Sequence, residues 1–187
     1  MAFELLSQLV NGIRGGVKGT LEGAADVGST ALKAVKDLTV DTVKGTGEFI
    51  TAGIRVPASV VSGAISGVSD IGVAVVKAVK GVVSGAIQGA MESGIEQKDA
   101  VKGSVTQAVL SAKDLGLDVV DVAVEAVQGA IAGVSQVGGD TVSATKNSVL
   151  SAFDAAKEIS EEVANSVKDA LKESVDGAKD IFDEIRE

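Results

Sequence analysis

An eleven-residue rhythm runs through this chain from end to end and limits its possible folds more than any other feature. Cut at residue 5 and at every eleventh residue after it, the sequence reads LLSQLVNGIRG, GVKGTLEGAAD, VGSTALKAVKD and onward, with no insertion or deletion. The sixth column is Val, Ile, Leu or Phe in 14 of 17 repeats, and the eighth is Gly, Ala or Ser in 14 of 17. The eleventh is acidic in 11 of 17, and Lys is frequent in the tenth. Eleven residues in three turns is about 3.67 residues per turn, so an apolar stripe barely drifts around such a helix. Positions 1, 5, 9, 2 and 6 then form one apolar arc, small position 8 flanks it, and positions 10, 3, 7 and 11 face water. A β-strand would alternate with period two, which this chain does not do.

The phase survives every candidate break: Gly53 to Pro57, Gly94, and Gly138–Gly139. Loops of arbitrary length would shift it. The expected fold is therefore all-α, a long and nearly continuous helix, with a kink or hairpin near Pro57 because proline removes a helix hydrogen bond. Three segments are expected along it. Residues 1–56 form an N-terminal helical part, 57–136 an apolar Gly-rich centre, and 137–187 a charged, acidic, amphipathic end.

A second period lies inside the first. Position 2 alternates through Val61, Gly72, Val83, Gly94, Val105, Gly116, Val127, Gly138 and Val149. The third position carries Val73, Ile95 and Leu117 beside the glycines. The unit is thus 22 residues, and it suggests parallel copies displaced by one repeat, with valines set against glycines.

The chain holds 23 Gly and one Pro, which is not loop usage. Each Gly inside a helix costs up to ~1 kcal/mol relative to Ala, so an isolated helix of this composition would be poorly stable. Yet the glycines fall in register, where they remove bulk and let helix backbones approach. Close lateral packing of helices follows. The expected packing residues are Gly12, Gly23, Gly45, Gly67, Gly89, Gly133 and Gly177. They are set to meet the apolar knobs Ile54, Ile65, Val76, Ile87, Val109, Val120 and Ile131 of a neighbour.

Composition excludes much chemistry. There is no His and no Cys, so no imidazole base, thiolate nucleophile or usual zinc site. Four Phe are the only aromatics, and the net charge is −9, so nucleic acid is not an expected partner. The acids Asp114, Asp118, Asp121 and Glu125 would share one side of a helix, where a solvated stripe outweighs a Ca²⁺ or Mg²⁺ site between chains. No catalytic, cofactor-binding or metal residue is expected. The opening MAFELLSQLVNGIRGG lacks a basic n-region and a long apolar stretch, so no secretory signal is expected. The longest charge-free runs, 56–69 and 126–139, are 14 residues each and short for a single-pass membrane helix. A cytoplasmic location, with membrane association as a variant, is the expectation.

The repeats LLSQLVNGIRG, VGSTALKAVKD and VVSGAISGVSD make the chain resemble hendecad coiled-coil proteins. The segments Val17 to Gly23 and Val43 to Glu48 are similar, more weakly, to the eleven-residue units of synucleins and perilipins. The first resemblance implies laterally packed helices. The second implies an amphipathic helix lying along lipid, from which the tract 114–145 departs because it has no basic residue. Three roles remain open on these grounds. The leading one is a non-enzymatic structural protein that assembles with itself into a multi-helix barrel, tube or filament. The others are a peripheral lipid-coating protein and a membrane-spanning oligomeric barrel or pore.

Overall fold

The computed structural model describes residues 2–21, 25–46, 55–70 and 75–185, without the side-chain surroundings of residues 2–6, 45 and 46. Among them are nine α-helices: α1 (Ala2–Leu21), α2 (Val27–Thr46), α3 (Arg55–Asp70), α4 (Val75–Glu92), α5 (Gln97–Asp114), α6 (Val119–Gln136), α7 (Thr141–Ile159), α8 (Glu161–Ser174) and α9 (Ala178–Glu184). No strand occurs among the described residues.

The chain is all-α, but the nearly continuous helix expected from the unbroken phase does not form. The reason lies in the 22-residue unit. Helices α4, α5 and α6 are each 18 residues long. The connections 93–96, 115–118 and 137–140 take four residues each. Helix plus turn fills two eleven-residue repeats, so the chain reverses direction and keeps its phase.

The alternating glycines end the helices. Gly94, Gly116 and Gly138 have φ of 91°, 67° and 73°, a region that residues with a Cβ enter only at a cost. At the first of these the Gly94 N–H donates to the Met91 carbonyl at 3.1 Å, and the Ile95 N–H donates to the Ala90 carbonyl at 3.0 Å. This is a Schellman ending, and the same pair of bonds recurs at Gly116 and Gly138. The residue after the glycine folds onto the core, as Ile95 does at 8% exposure. The next residue starts the following helix. Asp118 and Asp140 each accept two backbone N–H bonds there, the usual work of an N-cap. The valines between these glycines, among them Val83, Val105 and Val127, lie fully buried in mid-helix. The 22-residue period therefore builds hairpins within one chain, and the expected valine-to-glycine stagger between copies is replaced by that.

Ser160 holds the next place in the glycine series. It forms a one-residue joint, closing α7 and capping α8 through a bond from the Val163 N–H to its hydroxyl. Pro57 sits in the first turn of α3, where its missing N–H has no helical partner to lose. It begins a helix there. Residues upstream of it fold back, α1 onto α3 and α2 onto α4.

Every pair of helices in contact is one or two places apart in the chain. One layer holds α1, α3, α5, α7 and α9; the other holds α2, α4, α6 and α8. Such an array is close to one-dimensional, each unit touching only its neighbours. Helix α4 lies deepest, with residues 81–90 buried on all sides. Its apolar positions Val79, Val82, Val83, Ala86 and Ile87 join one core running from Ile13 to Phe182.

Candidate functional site: the glycine seams

Three of the layer contacts, α1 with α3, α2 with α4 and α4 with α6, run along glycines spaced four residues apart. On α3, a Cβ added at Gly63 would lie 2.7 Å from the Val10 carbonyl oxygen of α1, and one at Gly67 2.7 Å from that of Arg14. On α4, Gly81, Gly85 and Gly89 run against the backbone of α2, meeting the carbonyls of Gly28, Leu32 and Lys36 in turn. On α6, Gly129 and Gly133 face the Lys80 and Ser84 carbonyls of α4 at 2.6 and 2.9 Å in the same sense. Each step along one helix matches one turn along its partner, so layer mates run parallel. The close approach lets glycine Cα–H groups face carbonyl oxygens, contacts worth about 0.5–1 kcal/mol each. It also brings together apolar stripes whose fully buried Val and Ile side chains contribute about 1.5–3 kcal/mol apiece.

The structure treats the expected packing residues in different ways. Gly67, Gly89 and Gly133 lie in seams, and their partners are backbone carbonyls of the same chain. Gly12 has nothing within 4 Å of an added Cβ. Gly177 caps α9 at φ 82°. Gly45 falls in α2 where surroundings are not described, and Gly23 and Ile54 lie outside the described residues. Of the knobs, Ile65, Ile87 and Val109 are fully buried, while Val76, Val120 and Ile131 pack half-buried against the core. Sequence reasoning passed over Gly63, Gly81, Gly85 and Gly129, each four residues ahead of another glycine in a seam. That four-residue spacing was the available signal.

Ion pairs fasten the two ends of the array. Arg14 of α1 grips Asp70 of α3 through two hydrogen bonds of 2.5 and 2.6 Å. Lys36 of α2 reaches Glu92 of α4 at 2.7 Å, and Lys146 of α7 reaches Glu184 of α9 at 2.9 Å. The hydrogen bond from Arg14 holds the Asp70 carboxyl below the usual aspartate range; burial opposes it, and the charges of Arg14 and Lys18 add smaller lowering effects. The same bond raises Arg14. Asp26 and Asp140 are also lowered, first by the hydroxyls of Ser29 and Ser143 and then by backbone N–H groups at their helix starts. At the far end Phe182 anchors α9, packed edge-on to Phe153 at 5.4 Å, with Lys168 and Lys172 over its ring.

The expected acidic stripe does not share a helix. Asp114 ends α5, and Asp118 caps α6 across a turn. No group of three or more candidate metal-ligating side chains occurs among the described residues. No helix there is long and apolar enough to cross a membrane. An open groove between α1 and α2, lined by Gly16, Thr20, Ala34 and Leu38, marks the N-terminal end of the array. Comparison with protein-family models gives no match, and comparison with curated proteins gives none either.

Proposed function

We propose that this is a non-enzymatic structural protein whose two-layer helical array is a building block that associates with copies of itself. The observation that carries this reading is the open glycine face of α1. From α3 to α7 each helix has a layer mate on both sides; α1 and α2 have one on a single side. Helix α1 turns Gly12, Gly15 and Gly19 to solvent with nothing within 4 Å, whereas the seam glycines of α3, α4 and α6 each hold a neighbouring backbone. Both ends expose polar side chains, Glu161, Glu162, Asp169 and Glu173 on α8 and Gln8, Asn11, Lys33 and Asp37 on α1 and α2, so the open glycines of α1 are what set the N-terminal end apart.

Sedimentation velocity and electron microscopy of the purified protein over a wide concentration range test this. Helical particles of several copies, growing with concentration, are the expected result. A monomer at every concentration refutes it. Flotation with anionic vesicles addresses the lipid-coating role. That role would need the apolar arcs that the array keeps inside, since the exposed large apolar side chains among the described residues are Leu115, Val142 and Ile185.

A further inference from the structure

Building on that self-association, we propose that copies join by exchanging their N-terminal hairpins. In this arrangement α1–α2 of one chain docks on α3–α4 of another, in the place its own hairpin occupies here. The docking surface and its occupant are both in view. The surface is the pair of seams at Gly63 and Gly67 of α3 and at Gly81, Gly85 and Gly89 of α4, rimmed by Asp70 and Glu92. The occupant presents the matching carbonyls together with Arg14 and Lys36. A second copy offers the same groups, so exchange forms each contact again and needs no new chemistry.

The hairpin is separable. It touches only α3 and α4, so its departure leaves the contacts among α3 to α9 intact. It also lies at one end of the described array, so each of its helices has a layer mate on one side only. The buried side chains described for it are Ile13, Val17, Leu21, Ala31, Val35 and Thr39, against thirteen buried residues in α4 alone. Its glycines lower its intrinsic helicity, and both of its ion pairs are partly exposed. An end unit of a stacked array can open without disturbing the units beyond its neighbours. Opening uncovers the most deeply buried of the described helices, α4, which a hairpin from either chain can cover. The sequence between α2 and α3 has eight residues, 47–54, against four in each connection from α3 to α7. Eight residues can reach roughly 26 Å when extended.

A charge-reversal exchange tests the proposal with full-length chains. Arg14→Asp places like charges at the α1–α3 contact of its own chain, and so does Asp70→Arg. Only in a reciprocally exchanged pair of the two variants does each α1 meet an oppositely charged α3. Native mass spectrometry of the mixture, with one variant isotopically labelled, should show heterodimer in about tenfold excess over either homodimer. The double variant carrying both changes restores the pair within one chain and serves as the folding control. It should associate as the unaltered chain does, yet form few mixed dimers with it. If the unaltered chain associates but the single variants mix only statistically, copies join elsewhere and hairpin exchange is wrong. If neither the unaltered chain nor any variant associates, the self-association reading itself falls.

Discussion

Replacing Gly85 by Ala sets two opposed effects against each other, and the structure decides which wins. Alanine is the better helix former by up to about 1 kcal/mol. At Gly85, however, the new Cβ would run into the Leu32 carbonyl oxygen, 3.0 Å from the Lys36 nitrogen and 3.1 Å from the Leu32 carbonyl carbon. All three are backbone atoms, so no rotamer change relieves the clash. Helix α4 cannot retreat freely, because α6 packs on it through Gly129 and Gly133. Overpacking of this kind costs about 1–3 kcal/mol, and spreading the seam weakens the Cα–H contacts at Gly81 and Gly89 by a further ~0.5–1 kcal/mol each. The net loss is on the order of 1–3 kcal/mol, or about 3–10 °C in midpoint for a chain of this size. Gly15→Ala is the matched control. It meets nothing within 4 Å, so it should gain about 0.5–1 kcal/mol. Thermal and urea unfolding followed by helical circular dichroism measure both. If Gly85→Ala raises the midpoint as Gly15→Ala does, the seams are not close-packed and the account of the glycines fails.

Further outcomes follow from single features. Ser104 is fully buried with no partner for its hydroxyl, so Ser104→Ala should stabilise by about 1 kcal/mol, read as a higher urea midpoint. Phe182→Ala removes the ring that anchors α9; hydrogen exchange across 178–184 should accelerate on the order of a hundredfold while α3 to α6 stay protected. Asp26, Asp70 and Asp140 have folded-state pKa values below the ordinary one. Their contribution is present in full above the unfolded aspartate value of about 3.9 and is lost as pH falls through the folded values. Acid titration of the midpoint should show this decline, Asp70→Asn should flatten part of it, and with no His or Cys in the chain the midpoint should hardly move between about pH 5 and pH 8.

Much of the local structure was legible in the sequence because an eleven-residue repeat fixes one face of a helix. Ile65, Ile87 and Val109, read as apolar knobs, are buried. Glycines marked close approach at Gly67, Gly89 and Gly133. The partner was not legible. A stripe states which side of a helix must be covered and is silent on what covers it, and here the cover is another stretch of the same chain. Long-range pairs such as Arg14 with Asp70 depend on the stacking of α1 on α3, which no local pattern encodes. The open and the buried glycines also look alike in sequence. Gly15 and Gly81 both sit in the eleventh column, yet one faces solvent and the other the backbone of α2.

The difference between a rod and a stack of hairpins turns on how 22 residues are used. They make two hendecads of uninterrupted helix, or an 18-residue helix with a four-residue turn, and the apolar phase is the same in both. Periodicity alone cannot separate these. The residues around each alternate glycine can. Gly94–Ile95–Glu96 and Gly116–Leu117–Asp118 place glycine, an apolar residue and an acid in a row, and Gly138–Gly139–Asp140 keeps the glycine and the acid. In a rod each such glycine costs about 1 kcal/mol, and nothing calls for an acid two residues later. In a hairpin the members have work: the glycine takes positive φ, the apolar residue covers the helix end, and the acid stands at the start of the next helix, where Asp118 and Asp140 cap it with their side chains and Glu96 does not. A triplet recurring at the turn interval, with each member suited to ending one helix or starting the next, favours the hairpin even though the phase never breaks.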